Sequence, residues 1–256
     1  MLVEYKKEGK IAIFTLNRPE VFNAQSIQML KELNAALADF RDDPDLWVGI
    51  VTGAGDKAFC AGADIKETLQ FMKQNRGKYW ASPRTMMRGM DIWKPLIAAI
   101  NGMALGGGLE IVLACDIRIA AETAILGVPE VKLGILPGGG GTQRLVRTLP
   151  WCKAAELLFT GDPIKAADAL SLGLINEVVP PEKVMETAEK WAERLCKVSP
   201  LALQAIKEAM TRGNNQSLDD GLRLEMALED FLLGSDDFVE GTKAFAEKRK
   251  PEFKGR

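Results

Sequence analysis

Between residues 11 and 52 apolar positions follow two different periods. Residues 11–16 (IAIFTL) and 47–52 (WVGIVT) are short β-branched runs, whereas Ile27, Leu30, Leu33, Leu37 and Phe40 recur at helical spacing behind Ser26. That order predicts strand, helix, strand, and residues 1–5 lead into a strand-like pattern of their own. Apolar runs at 96–100, 115–119 and 175–179 then alternate with helical or glycine-rich segments, so the first two-thirds reads as α/β with repeated crossovers. From about residue 181 the pattern is helical over 184–196, 201–210, 218–233 and 238–248, broken at Ser199-Pro200, Gly213-Asn214 and Gly234-Ser235. Leu222, Met226, Leu228, Phe231 and Leu232 give this layer more apolar side chains than a monomer's surface helices need. They fit packing between subunits or cover for the chain's own core.

A length of 256 residues allows one substantial core with a small appended region. An apolar share of 47% and a charged share of 27% are those of a globular protein. The net charge of −2, without a basic block, argues against nucleic acid as a partner. Cys60, Cys115, Cys152 and Cys196 form no C-x-x-C pair, which suits reduced thiols, and no signal, transit or membrane-length segment is evident, so a cytoplasmic location is expected. Asn215-Gln216-Ser217 matches a glycosylation triplet of a kind that arises by chance. The most restrictive feature is the absence of histidine, which removes Ser-His-Asp and Cys-His catalysis and every His-ligated metal site. Acid/base work must fall to carboxylates, Lys, Tyr or Cys.

Residues 100–114 place a strand end, a glycine run and an apolar helix start in succession, with Glu110 as the only charge. A lone carboxylate there is costly unless paired or protonated. Glycines at a helix start let free N–H groups approach a ligand, where the helix dipole favours negative charge; taken alone, they also fit a tight turn. Glu130 repeats the oddity within the apolar, turn-flanked stretch 126–134. An ion pair with Lys132 or Arg118 would explain it by itself, but two such carboxylates suggest an acid/base pair tuned by burial and repulsion. Residues 58–66 are small and follow a strand and a Gly53-Ala54-Gly55 turn. They could present another ligand-facing N–H, with Lys66 free for a phosphate, or form a plain loop. The run Pro137–Arg144 fits neither nucleotide-loop pattern and is expected to be a flexible turn before a helix at 142–148.

Taken in order, these segments resemble the crotonase superfamily, also called the enoyl-CoA hydratase/isomerase family. The match runs through Asn17-Arg18-Pro19 with Asn23-Ala24, Ala61-Gly62-Ala63-Asp64-Ile65-Lys66, Asn101-Gly102 to Gly106-Gly107-Gly108, Pro129-Glu130 with Leu133-Gly134, residues 137–145 and residues 244–249. The resemblance implies an α/β fold, a spiral of ββα units over 1–195 carrying the active site, with a C-terminal helical trimerisation region at 196–256. It implies an enoyl-CoA hydratase: the amides of Ala63 and Gly107 hold the thioester oxyanion, Glu110 activates water for C3, and Glu130 delivers a proton to C2. Residues Ala61 to Lys66 would lie along CoA, and Phe245 and Lys248 would reach the CoA of a neighbouring subunit. No cofactor is implied beyond the CoA of the substrate, no metal, no membrane, and a homotrimer or dimer of trimers. Relatives also include isomerases, specialised acyl-CoA dehydratases for cyclic or carnitinyl substrates, and RNA-binding homologues. The near-neutral charge argues against the last of these. The acyl pocket is expected among Phe71, Met72, Tyr79, Trp80, Met86, Met87 and Trp93, residues that would otherwise serve as ordinary packing.

Overall fold

The computed structural model describes residues 1–78 and 85–256; Tyr79 and Trp80 lie outside the described residues. A hairpin opens the chain, β1 (Val3–Glu8) pairing antiparallel with β2 (Ile11–Leu16). The Ser26 hydroxyl accepts from the Met29 amide at 3.1 Å and starts α1 (Ile27–Asp42). Its buried stripe is Met29, Leu33, Leu37 and Phe40; Leu30, expected inside, is half-buried beside it.

From β3 (Val48–Gly53) onward the chain winds in ββα turns. The first is β3, β4 (Ala58–Cys60) and α2 (Thr68–Gln74); the second is β5 (Leu96–Ile100), β6 (Met103–Leu105) and α3 (Gly107–Ala114); the third begins with β7 (Ile117–Ala121) and β8 (Ile125–Gly127). The leading strand of each turn joins a six-stranded sheet of order β1-β2-β3-β5-β7-β10, closed by β10 (Glu177–Val179). The second strand of each joins a four-stranded sheet of order β4-β6-β8-β9, with β9 (Ile164–Lys165) antiparallel at its edge. From β2 to β10 the large sheet is parallel, so every connection crosses over. All positions of β3 and β5 are buried, which is why they read as continuous apolar runs. The strand expected at 115–119 starts at Ile117 instead, because the Asp116 carboxylate accepts from the Leu96 amide (2.8 Å) and Lys207 (2.7 Å) at the strand's mouth.

Five helices follow β8 and its 3-10 turn: α4 (Gly141–Thr148), α5 (Trp151–Thr160), α6 (Ala166–Ser171), α7 (Val184–Leu195) and α8 (Pro200–Gly213). Helix α7 packs on β3, β5 and β7, extending the core that begins at Val3. Then come α9 (Leu218–Leu233), packed on α8, and α10 (Asp236–Ala246). Helix α9 buries none of its residues and leaves Leu222, Met226 and Phe231 exposed. Among the described residues no helix is long and apolar enough to cross a membrane.

Candidate active site

The α3 helix starts from Gly106 at φ 53° and ψ −127°, a backbone conformation that a side chain disfavours. Every residue from Gly107 to Leu113 is buried, Glu110 included, at 4% exposure. A carboxylate so placed needs donors, and it has them: Glu110 Oε1 accepts from the Gly139 amide (2.7 Å) and the Gly141 amide (2.8 Å). The glycine run is therefore folded around Glu110 rather than flexible. A β-carbon at Gly139 would lie 2.6 Å from Glu110 Oε2, so the absence of a side chain is what permits the approach. The loop is held by Arg144, which donates to the carbonyls of Gly139 (3.0 Å) and Met87 (2.9 Å), and by Arg88, which donates to the carbonyl of Gly138. Burial pushes the Glu110 carboxyl above its ordinary range, against the pull of the two amides and the charges of Arg144 and Arg88.

Glu130 stands in the 3-10 turn Pro129–Leu133 that follows β8. Its carboxylate faces the start of α3, where a β-carbon at Gly106 would lie 2.9 Å from Oε1. Oε2 is buried and, among the described residues, has no hydrogen-bond partner. Neither of the alternative ion pairs forms: Lys132 bonds Asp162 at 2.6 Å, and Arg118 donates to the carbonyls of Val112, Leu113, Cys115 and Leu174. Burial, and after it the charge of Glu110, pushes the Glu130 carboxyl up to about 7, against the pull of its own amide. The structure thus brings two carboxyls close enough to couple, one held by amides and one uncommitted.

The amide pair comes from two touching segments. After β4 the chain turns at Gly62 (φ +96°), and Gln25 brackets the turn by donating its amide to the Gly62 carbonyl (2.8 Å) and accepting from the Asp64 amide (3.0 Å). A β-carbon at Gly62 would sit 2.8 Å from the Leu105 carbonyl oxygen and 3.2 Å from the Gly107 nitrogen. Among the described residues, neither the Ala63 nor the Gly107 amide donates to a protein acceptor. Gly107 also opens α3, so the positive end of that helix lies at the same place. Two free N–H groups and a helix start beside two carboxyls can hold a developing oxyanion and move protons on the carbon next to it.

The remaining candidates are placed less centrally. The Ala61 amide is bonded to the Phe22 carbonyl (2.9 Å). The Asp64 carboxylate pairs with Arg18 (3.2 Å) and takes the amides of Lys66 and Glu67, so it serves the loop itself. Ile65 and Lys66 are exposed beyond it. Phe245, 87% exposed, lies on α10, and Lys248 lies just past its end; neither hydrogen-bonds to the 61–66 segment. A cleft of about 840 Å³ opens on the outer side of the glycine loop, with Met86, Met87, Trp93, Gly138 and Arg144 in its wall, but neither carboxyl lines it. Phe71 and Met72 are exposed and do not line it either. Three contributors were not legible in the sequence: the amides of Gly139 and Gly141, the Arg144 clamp and Gln25. The one available signal for the first two was the four glycines of 138–141 followed so closely by an arginine.

The model of the enoyl-CoA hydratase/isomerase family matches residues 6–256. The chain is 40% identical over 255 residues to (E)-benzylidenesuccinyl-CoA hydratase of Thauera aromatica, covering 100% of both. It is 42% identical to the short-chain-enoyl-CoA hydratase of Clostridium acetobutylicum, covering 98% of this chain and 97% of that one. The crystal structure of enoyl-CoA hydratase from Bacillus anthracis superposes with a TM-score of 0.93 at 39% identity, covering 100% of both chains.

Proposed function

The chain belongs to the enoyl-CoA hydratase/isomerase family, and we propose that it adds water across the double bond of a 2-enoyl-CoA thioester to give a 3-hydroxyacyl-CoA. The observation that carries the reading is the asymmetry of the two carboxyls. Glu110, held by two amides, is the base: it takes a proton from water as the oxygen bonds to C3. Electrons move onto the thioester oxygen, which the Ala63 and Gly107 amides receive. Glu130, whose carboxyl is pushed up to about 7, keeps a proton to deliver to C2 as the enolate collapses. One carboxyl gains a proton as the other loses one, so the coupled pair carries the same total charge throughout.

Residues Ala61 to Lys66 form the path for CoA on this reading, with Asp64 acting through its main chain. The protein assembles as a homotrimer or a dimer of trimers, in which Phe245 and Lys248 meet a neighbour's CoA. The unburied α9 with its exposed Met226 and Phe231 supports assembly. Light scattering of Met226→Asp and Phe231→Asp should show smaller particles than the unaltered protein; a monomeric unaltered protein would remove Phe245 and Lys248 from the site. The four free thiols suit a cytoplasmic enzyme.

The decisive assay follows loss of enoyl-thioester absorbance with crotonyl-CoA, with the product identified by mass. Appearance of 3-hydroxybutyryl-CoA is expected. Conversion of 3-enoyl-CoA to the 2-enoyl product alone, with no hydrated product, would instead make it an isomerase.

A further inference from the structure

Among the described residues, two side-chain polar atoms are buried without a hydrogen-bond partner: Glu130 Oε2 and Gln25 Nε2. They converge on consecutive residues of one helix start. A β-carbon at Gly106 would meet the Glu130 carboxylate (Oε1 at 2.9 Å), and one at Gly107 would meet the Gln25 carboxamide (Oε1 at 2.6 Å, Nε2 at 3.0 Å). The acid role absorbs Glu130. Nothing in the reaction so far absorbs Gln25, yet a buried amide donor left unmade is costly and calls for a reason.

Gln25 touches both halves of the oxyanion hole. Its main chain takes the Asp64 amide (3.0 Å) and gives its own amide to Gly62 (2.8 Å), which fixes the backbone on either side of Ala63. Its main-chain carbonyl also accepts from the buried Thr68 hydroxyl at 2.6 Å, which ties the segment to the start of α2. Its side chain, at 4% exposure, lies flat against Gly107. The neighbouring Cys60 thiol interacts with that side chain and lies under its pull, but it is a weak acceptor that already takes the Gly62 amide at 3.4 Å and leaves Nε2 without a well-formed hydrogen bond. A leucine would fill a similar space and leave no polar atom to satisfy, so packing alone does not account for an amide here.

We propose that Gln25 is a positioning residue of the oxyanion hole: it sets the Ala63 and Gly107 amides relative to one another and turns an uncommitted N–H dipole toward the enolate. The proposal rests on the hydratase reading given above. A dipole fixed behind the hole in a dry environment costs no reorganisation when charge appears, and its effect grows as the thioester oxygen becomes negative. Its contribution therefore falls on the enolate more than on the bound enoyl substrate, which is the signature that separates it from a packing role.

The test uses Gln25→Met, which keeps length and removes the amide, and Gln25→Leu, which fills a similar space without a polar atom. Acetoacetyl-CoA is bound to each protein and the absorbance of its enolate is followed against pH. Both variants should hold about three- to tenfold less enolate at a given pH than the unaltered protein. With crotonyl-CoA, kcat should fall by about tenfold while KM stays within about twofold. The enolate ratio belongs to the bound ligand, so it is read on the folded fraction even if a variant is less stable. An unchanged enolate titration in either variant overturns the proposal, as does a loss of activity that appears only in KM. If the unaltered protein does not hydrate crotonyl-CoA, the function fails; if it does and the variants match it, only the role of Gln25 fails.

Discussion

Glu110, in the first turn of α3, and Glu130, facing the start of that helix, sit in surroundings of opposite kinds. Glu110 is carried by α3 and wrapped by a glycine loop that places two amides on one oxygen, with Arg144 tying that loop to Met87. Glu130 comes from a short 3-10 turn and leaves Oε2 buried without a partner. Burial raises both carboxyls; donors oppose it strongly for one, and a neighbouring negative charge reinforces it for the other. A site can thus divide acid from base without histidine, by giving more hydrogen bonds to the carboxyl that must stay charged than to the one that must stay neutral.

Removing each carboxyl in turn should have the largest effect. Glu110→Gln and Glu130→Gln should each lower kcat for crotonyl-CoA by about 10²–10⁴-fold. If one variant keeps near-wild-type turnover, that carboxyl does not move a proton. Crowding the held side should come next. Gly139→Ala puts a methyl group 2.6 Å from Glu110 Oε2. The displaced carboxylate should cost about 10²-fold in kcat with little change in KM, read in the same assay.

Stability should separate the pair in the other direction. Glu110→Ala strands the Gly139 and Gly141 amides, each worth roughly 1–3 kcal/mol if unpaired, whereas Glu130→Ala frees only the amide of residue 130 itself. Denaturant unfolding should therefore show the larger loss for Glu110→Ala, and equal losses would mean that the two amides are satisfied otherwise. The smallest effect is on pH. Because the folded Glu130 carboxyl is raised to about 7, the folded state holds its proton more tightly than the unfolded chain does. Its stabilising contribution is complete below the ordinary carboxylate range and is lost as pH rises through about 7. Glu130→Gln should thus gain in melting temperature over the unaltered protein at pH 8 more than at pH 4. In parallel, kcat/KM of the unaltered protein should decline above about pH 7.

The long strands of the large sheet were readable because burial on both faces leaves an uninterrupted apolar run, as in β3 and β5. The small sheet was not. Strands β4, β6 and β8 are three residues long and β9 is two, too short for a period, and they exist because the spiral stacks them side by side. The same limit hid the glycine loop. Residues 137–144 read as a turn because the Gly139 and Gly141 N–H groups have no local partner, and the acceptor that orders them lies 29 and 31 residues earlier in the chain.

By itself the sequence determined that acid/base chemistry must be done without histidine, and that Glu110 and Glu130 are charges in places where charge is costly. It determined the helix that carries Glu110 and the glycines that clear its start, since these are local matters of backbone freedom and apolar spacing. Packing of the folded chain is what holds one carboxyl and leaves the other's Oε2 unpaired, occupies Lys132 and Arg118 elsewhere, and lays Gln25 against Gly107. Those outcomes depend on which backbone donors and acceptors the winding spiral brings within about 3 Å of a buried group. No pattern of neighbouring residues encodes that distance.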